Sequence, residues 1–359
     1  MRSCLFLTLL APFFANSAAM QLEFLDEFIV PPDLRVDGDK VGGLSSIEYT
    51  RGRYLLIADD SKKPRYFEAN IAIKGQKIEQ VQFTKSLPLV DQKTNSGVVD
   101  PESLRVAPNG KDIIWTSEGS IKYHHAPAIF MQTEQGVVNF TLPEMFNISK
   151  ASGPRHNAVF EGLTVAHCGQ GIWVSAEGAL KQDGEESSTE HGSIVRISYF
   201  DFASKSMQKQ FAYYLEPMVN RPEAKPDAFR TTGLVEILQL NAHQFLTMER
   251  SYTSGIADGG NDVSIYLIDI KEATDTSLLA SLEQQHVRPA RKTLLLDMAA
   301  VKQQLGSKHI DNLEGMTFGP KLANGNPSLL MVSDDNFNVH GKQLSQILLF
   351  EVKTPTPAQ

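Results

Sequence analysis

EGLTVAHCGQGIWVSAE, residues 161–177, opens on an acid and a glycine, runs into a short apolar strand, turns on glycine, and ends a second apolar strand on a carboxylate. Short runs of Val, Ile, Leu and aromatics bounded by Gly, Asn, Asp and Pro are strand signals. The same pattern recurs along the chain. GLSSIEYTRGRYLLIAD runs from Gly43 to Asp59 and ESLRVAPNGKDIIWTSE from Glu102 to Glu118. GLVEILQLNAHQFLTME runs from Gly233 to Glu249, and EGMTFGPKLANGNPSLLMVSD from Glu314 to Asp334. First and last residues are sixteen apart in four copies and twenty in the fifth, which carries a longer turn.

Each copy continues into a further strand, as in GSIVRISYFD, NDVSIYLIDI and KQLSQILLFEV, and copies start roughly 60 to 80 residues apart. That period is too long for a solenoid and suits a propeller blade with insertions. The reading is all-β, a single β-propeller with long inter-strand loops. Six blades are expected, two faint copies being allowed for in the degenerate stretches, with five or seven as alternatives. A β-sandwich is the competing all-β fold, but it gives no reason to place a carboxylate at one offset in every unit. A ring does, because equivalent positions converge on its axis.

Two segments, residues 273–286 and 296–306, have helix-like spacing and are expected as short helices or long loops. Residues 181–191, KQDGEESSTEH, have no apolar anchor and read as an exposed loop. Residues 216–230 carry three prolines and read as another. At the N-terminus, Arg2, an apolar run from Leu5 to Phe14 and the small residues Ser17, Ala18 and Ala19 have the order of a secretory signal peptide. The expected organisation is a signal peptide over residues 1–19, a propeller over 20–353 and a disordered tail over 354–359, in a secreted or periplasmic protein. No stretch is long and apolar enough for a membrane span. Cleavage after Ala19 would leave Cys168 as the single cysteine, so stability rests on packing and not on a disulfide. His167 and Cys168 adjoin in a strand–turn–strand stretch, where neighbouring strand residues point to opposite faces, so the pair is poorly placed for nucleophilic catalysis and Cys168 reads as a buried or turn cysteine.

The formal charge of -8 excludes the basic footprint of a nucleic-acid binder and favours cations. The repeats concentrate that charge. Glu102, Glu161 and Glu314 open copies, while Asp59, Glu118, Glu177, Glu249 and Asp334 close them, all among apolar, small or glycine neighbours. Acids so placed repel one another and need protons, arginines or a cation. Arg105, Arg155, His156, Arg196, Arg230 and Arg250 are the basic candidates. One reading is a Ca²⁺ site, since that ion takes six to eight oxygens. Another is binding and processing of a small ligand at the channel mouth. The plainest is that the acids cap backbone N–H groups and tie blades together. Residues 255–262 read as a glycine-rich turn, and Asp334, Asp335 and Asn336 as a group at the channel mouth. The histidine pair His124 and His125 lacks a specified third ligand. The chain has no Gly-x-Ser-x-Gly elbow, His-Glu-x-x-His site or P-loop.

The ordered series GGLSSIEY…YLLIADDS, DPESLRVAPNG…IIWTSEGS, FEGLTVAHCGQGIWVSAEG, FLTMERSY…GGNDVSIYLIDI and NLEGMTFGP…LLMVSDDNFN resembles the phytase-like esterase family, from about Gly42 to Val352. The resemblance implies an exported β-propeller with phosphoester or carboxylic-ester hydrolase activity. It points to Glu102, Glu118, Glu161, Glu177, Glu249, Arg250, Glu314, Asp334 and Asp335. The expected function is metal-assisted hydrolysis of a small anionic ester, with Ca²⁺ as cofactor. Glu102, Glu118, Glu177, Glu249 and Asp334 are the expected metal ligands. Glu161 or Glu314 would orient or deprotonate water, and Arg250 or Arg196 would hold the anionic group. The alternative is a non-catalytic ligand- or protein-binding propeller with structural calcium.

Overall fold

The computed structural model describes residues 20–89, 99–283, 286–339 and 341–353. The expected signal peptide and C-terminal tail lie outside the described residues.

Five four-stranded antiparallel sheets form the blades. Blade 1 holds Leu44–Thr50, Arg53–Ala58, Arg65–Lys74 and Lys77–Pro88. Blade 2 holds Pro101–Val106, Ile113–Ser117, Ala128–Thr133 and Gly136–Asn139. Blade 3 holds Phe160–Val165, Gly171–Ala176, Ser193–Asp201 and Met207–Leu215. Blade 4 holds Arg230–Gln239, Gln244–Thr253, Asn261–Asp269 and Arg291–Asp297. Blade 5 holds Asn312–Phe318, Ser328–Asp334 and Gln346–Lys353, and takes its outer strand, Gln21–Ile29, from the other end of the chain. The first strand of each blade touches the first strand of the next, and blade 5 touches blade 1, so the ring closes.

The expected six blades are therefore five. The five repeats are the whole ring. The sequence between them is not a degenerate copy. It forms the third and outer strands of the same sheets, such as the ten- and twelve-residue strands of blade 1.

Packing follows from the two-residue alternation of strands. In blade 1, Leu55 and Ile57 join the apolar cluster shared with blade 2, while Tyr54, Leu56 and Ala58 join the one shared with blade 5. The remaining clusters fill the other three interfaces. Both faces of the second strands are buried, which explains their continuous apolar sequence. Each fully buried Leu or Ile contributes roughly 1.5–3 kcal/mol.

Among the described residues helical structure is confined to 3-10 turns. Residues 296–306 form two of them, Met298–Ala300 and Lys302–Gln304, the first capped by Asp297, with Met298, Val301 and Leu305 buried. Residues 273–283 run as an extended strap along blade 3, with Thr276 N donating to Gln210 O. Thr, Asp and Ser in this segment favour turns over a helix interior. Arg196 binds the Leu279 carbonyl at 3.0 Å and so holds the strap down. The polar loop at 181–191 is not uniformly exposed. Its Asp183 is buried on Arg196 at 2.5 Å, so a charge that reads as solvated is consumed by an internal ion pair.

Below the middle of the ring the axis is plugged. Arg105 donates to Glu236 at 2.6 Å, to Ser46 Oγ at 2.9 Å and to the carbonyls of Leu104, Ile47 and Met316, drawing on four blades. Glu236 also accepts from Leu163 N at 3.2 Å. Removing one partner of such a pair leaves an uncompensated buried charge. Arg105→Ala should therefore lower the unfolding free energy by about 3–5 kcal/mol. The double variant Arg105→Met/Glu236→Gln should recover most of that loss in urea denaturation.

Candidate functional site

Above the plug, the channel opens into a cavity of about 1050 Å³. Its floor is built by one device repeated five times. Every first strand shifts register against the second near its start. A bulge of this kind re-aims a side chain. The residue following the last pair before the shift is Ser45, Glu102, Glu161, Val235 or Glu314 in blades 1 to 5. On the second strand, the residue just beyond the partner of that last pair is Asp59, Glu118, Glu177, Arg250 or Asp334; it follows the strand in blades 1 to 3, ends it in blade 5 and lies inside the longer Gln244–Thr253 strand of blade 4.

These rings bring together most of the residues expected from sequence. Asp59, Glu102, Glu118, Glu161, Glu177, Arg250, Glu314 and Asp334 all line the cavity. Glu249 does not. It lies between blades 3 and 4, where it accepts from Tyr213 Oη at 2.5 Å and from Lys292 Nζ. The register explains this. Glu249 pairs with Leu234 just before the shift, as Ala58 pairs with Leu44 and Ser333 with Leu313, so Arg250 takes the position that is acidic elsewhere. Asp335 is also outside the cavity. It accepts from Gly43 N at 2.9 Å and latches blade 5 to blade 1.

Blades 1 to 3 hold the densest charge. Oxygens of Asp59, Asp100 and Glu102 lie within 4.8 Å of one another, and so do those of Glu102, Glu118 and Glu161. Burial pushes Glu102, Glu118, Glu161, Asp59 and Asp334 well above the ordinary carboxylate range. Repulsion adds to it, from Glu161 at Glu102, from Glu177 at Glu118 and Glu161, from Asp334 at Asp59 and from Glu314 at Asp334. Burial also raises Asp100, whose oxygens lie within 4.8 Å of those of Asp59.

Arg250 is the cation inside the ring. It lies 3.2 Å from Glu314 and 3.8 Å from Glu177, and its buried Nε has no partner among the described residues. Burial raises Glu177 to about 7 against the pull of Arg250. Gly233 makes room for this contact, since a methyl there would stand 2.2 Å from Glu177 Cγ.

The other basic candidates go elsewhere. Arg105 plugs the axis, Arg196 binds Asp183, and Arg155 binds the carbonyls of Ala179 and Gly184. His156 and Arg230 line the cavity. In the turn at 255–262, Asp258 pairs with Lys302 and Asp262 with Arg221, so neither is a free ligand. His124 and His125 join neither metal-competent group. Cys168 is exposed in a turn. Sequence reading missed Asp100, Glu236, His309 and Asp311. Asp100 carried a signal, standing immediately before Pro101 and Glu102. The others sit where no repeat marks them.

These carboxyls titrate higher folded than the ordinary 4.5 of a free glutamate. Their contribution to stability is thus full at low pH and is lost as pH rises through the folded values, about 7 for Glu177. The thermal midpoint of chelator-treated protein should fall between about pH 5 and about pH 8, and Glu177→Gln should flatten the fall. Millimolar Ca²⁺ should reverse it.

Among solved structures, the chain resembles an endo-arabinase from Bacteroides thetaiotaomicron, at 10% identity and TM-score 0.43 over 92% of this chain and 98% of that one. It resembles an exo-β-1,3-galactanase from Phanerochaete chrysosporium at 10% identity and TM-score 0.47, over 90% and 64%. It also resembles a GH62 α-L-arabinofuranosidase catalytic domain from Coprinopsis cinerea at 11% identity and TM-score 0.44, over 93% and 97%. No curated protein matches the sequence. Residues 39–337 match the family profile described as "Phytase-like: Esterase-like activity of phytase", and with most of its length so matched the chain belongs to that phytase-like family.

Proposed function

We propose that this propeller is an exported hydrolase that cleaves a small anionic ester, phosphoric or carboxylic, at the cavity floor. The observation that carries the reading is the polarity of the floor. Metal-competent carboxylates crowd blades 1 to 3, and the Arg250 side chain lines the same cavity from blade 4. An anionic substrate cannot approach that acidic corner until its charge is offset.

The donors are all carboxylate oxygens, which suits a hard cation such as Ca²⁺ and not zinc or copper. Asp59, Asp100, Glu102 and Glu118 are the residues that would hold it. Bound there, such an ion supplies charge stabilisation for an ester oxygen. Arg250, which lines the cavity, binds the anionic group. Glu314 is already engaged, by Arg250 and by Asn312 Nδ2 at 2.8 Å, and serves to orient the guanidinium. Glu161 accepts no hydrogen bond from a described residue, which leaves it to orient water and take its proton. Of the two carboxylates named from sequence for that task, Glu161 is the better placed.

A structural cation in a non-catalytic propeller is the competing reading. It is favoured by Glu118, whose carboxylate accepts from Val159 N and so stitches blade 2 to blade 3. Calorimetric titration of chelator-treated protein with Ca²⁺, paired with a phosphoester and carboxylic-ester screen, separates the two. The expected result is binding with calcium-dependent turnover. Glu161→Gln should then lower kcat by about 10²-fold or more while retaining calcium. Glu102→Gln should lose calcium and turnover together. Binding without turnover on either substrate class would support the structural reading, and no binding would remove the cation from the mechanism.

A further inference from the structure

The wall opposite the acidic corner carries a second pair of titratable groups that the mechanism above does not use. His309 lies on the connection from blade 4 to blade 5 and lines the cavity. Its Nε2 stands 3.3 Å from Asp311 Oδ2, and the Asp311 side chain is only 1% exposed. That carboxylate is fixed by three donors: Leu344 N at 2.6 Å, Asn312 N at 2.9 Å and Gln343 Nε2 at 3.4 Å.

The histidine is held as firmly. Its N–H donates to Ser307 Oγ at 3.1 Å and its carbonyl accepts from Gln346 Nε2 at 2.9 Å. The ring lies against the backbone of Gly259, which has φ +93°. A methyl there would come within 2.4 Å of His309 Cε1 and 2.8 Å of Nε2. No described residue hydrogen-bonds Nδ1. The side chain is 26% exposed. A buried acid thus stands at ion-pair distance from one nitrogen of an imidazole while no described residue hydrogen-bonds the other, an arrangement suited to proton transfer.

We propose that His309 donates the proton to the leaving oxygen of the ester, with Asp311 as its positioning residue. The inference rests on the hydrolase reading above. In the step, the oxygen of water bonds to the phosphorus or carbonyl carbon and its proton passes to Glu161. The bond to the leaving oxygen breaks with its electron pair, and that oxygen takes the proton from His309 Nδ1. Solvent then takes the proton from Glu161 and returns one to His309, so the net change is ester plus water to acid plus alcohol. Of the cavity side chains already described, none fits the donor role as well. Arg250 does not release a proton, and the carboxylates of blades 1 to 3 face the cation and the attacking water. His156 is exposed and has no carboxylate partner within ion-pair distance among the described residues.

The test compares two leaving groups on the full chain in calcium. A general acid matters for an alkoxide, which leaves poorly, and little for 4-nitrophenolate, which needs no proton. His309→Ala should lower kcat/KM for the methyl ester by about 10²-fold or more and for the 4-nitrophenyl ester by no more than about threefold. Added imidazole should restore part of the methyl-ester activity. His309→Gln, which keeps the packing against Gly259, should show the same selectivity, and Asp311→Asn a weaker version of it. Equal losses on both leaving groups without imidazole rescue would overturn the proposal and leave the hydrolase reading standing. So would wild-type turnover confined to nitrophenyl esters. A wild-type protein that cleaves neither class would overturn both.

Discussion

Carboxylates gathered around one axis repel, and a ring makes the crowding hard to avoid. Whatever a blade offers at its bulge meets the equivalent residues of four other blades. The structure offsets this in three ways. Burial and repulsion raise Asp59 toward its protonated form, Arg250 replaces the acid that blade 4 would otherwise bring, and the corner spanning blades 1 to 3 keeps oxygens close enough for one cation to bridge. A buried charge without such compensation costs several kcal/mol. The same constraint governs the plug, where the buried Glu236 is met by Arg105 and by the amides of Leu163, Ile237 and Met316. The cavity and the plug thus answer one electrostatic problem at two depths of the same channel.

Closure of the ring reaches into the site. The N-terminal strand Gln21–Ile29 completes blade 5, and its Glu27 accepts from Ser307 Oγ at 2.6 Å and from Gln346 Nε2 at 2.6 Å. Those two residues hold the His309 backbone, and Gln346 Oε1 also accepts from Asp311 N at 2.8 Å. Docking of the outermost strand therefore fixes the loop that carries the imidazole and its acid. A group fixed in this way by packing and hydrogen bonds is pre-organised, as the proposed role of His309 requires.

The fold and the acidic floor were legible because each blade begins with the same strand, tight turn and strand, and a ring turns that linear repeat into convergence in space. The blade count was less legible, since outer strands carry composition but no positional marker and their length imitates a further repeat. Glu249 marks a sharper limit. Counting from Gly233 gives it the sixteen-residue offset of its apparent equivalents, yet the register places Arg250 at the cavity. A one-residue slip reverses the face of a strand, and a bulge is invisible to an offset count. Pairs made across the chain, Asp183 with Arg196 and Arg105 with Glu236, leave no local trace. His309 and Asp311 are equally silent, because their geometry depends on Gly259, Leu344 and Gln346, none of which adjoins them.

Blade 4 shows how a repeat acquires direction. Its bulge position is Val235 where three other blades have glutamate, and Gly233 leaves the space that Glu177 and the Arg250 contact require. A glutamate at 235 would set a further negative charge beside Arg250 and draw its guanidinium away from the cavity. A larger residue at 233 would displace Glu177. The two changes act together. One removes an acid, the other removes bulk, and between them a cation enters a ring that is otherwise negative. An axis with five equal acidic blades would attract a cation without orienting anything beside it. With Arg250 on one side and the carboxylate corner on the other, the floor has two poles, and it is this asymmetry that the proposed reading uses to orient an anionic ester.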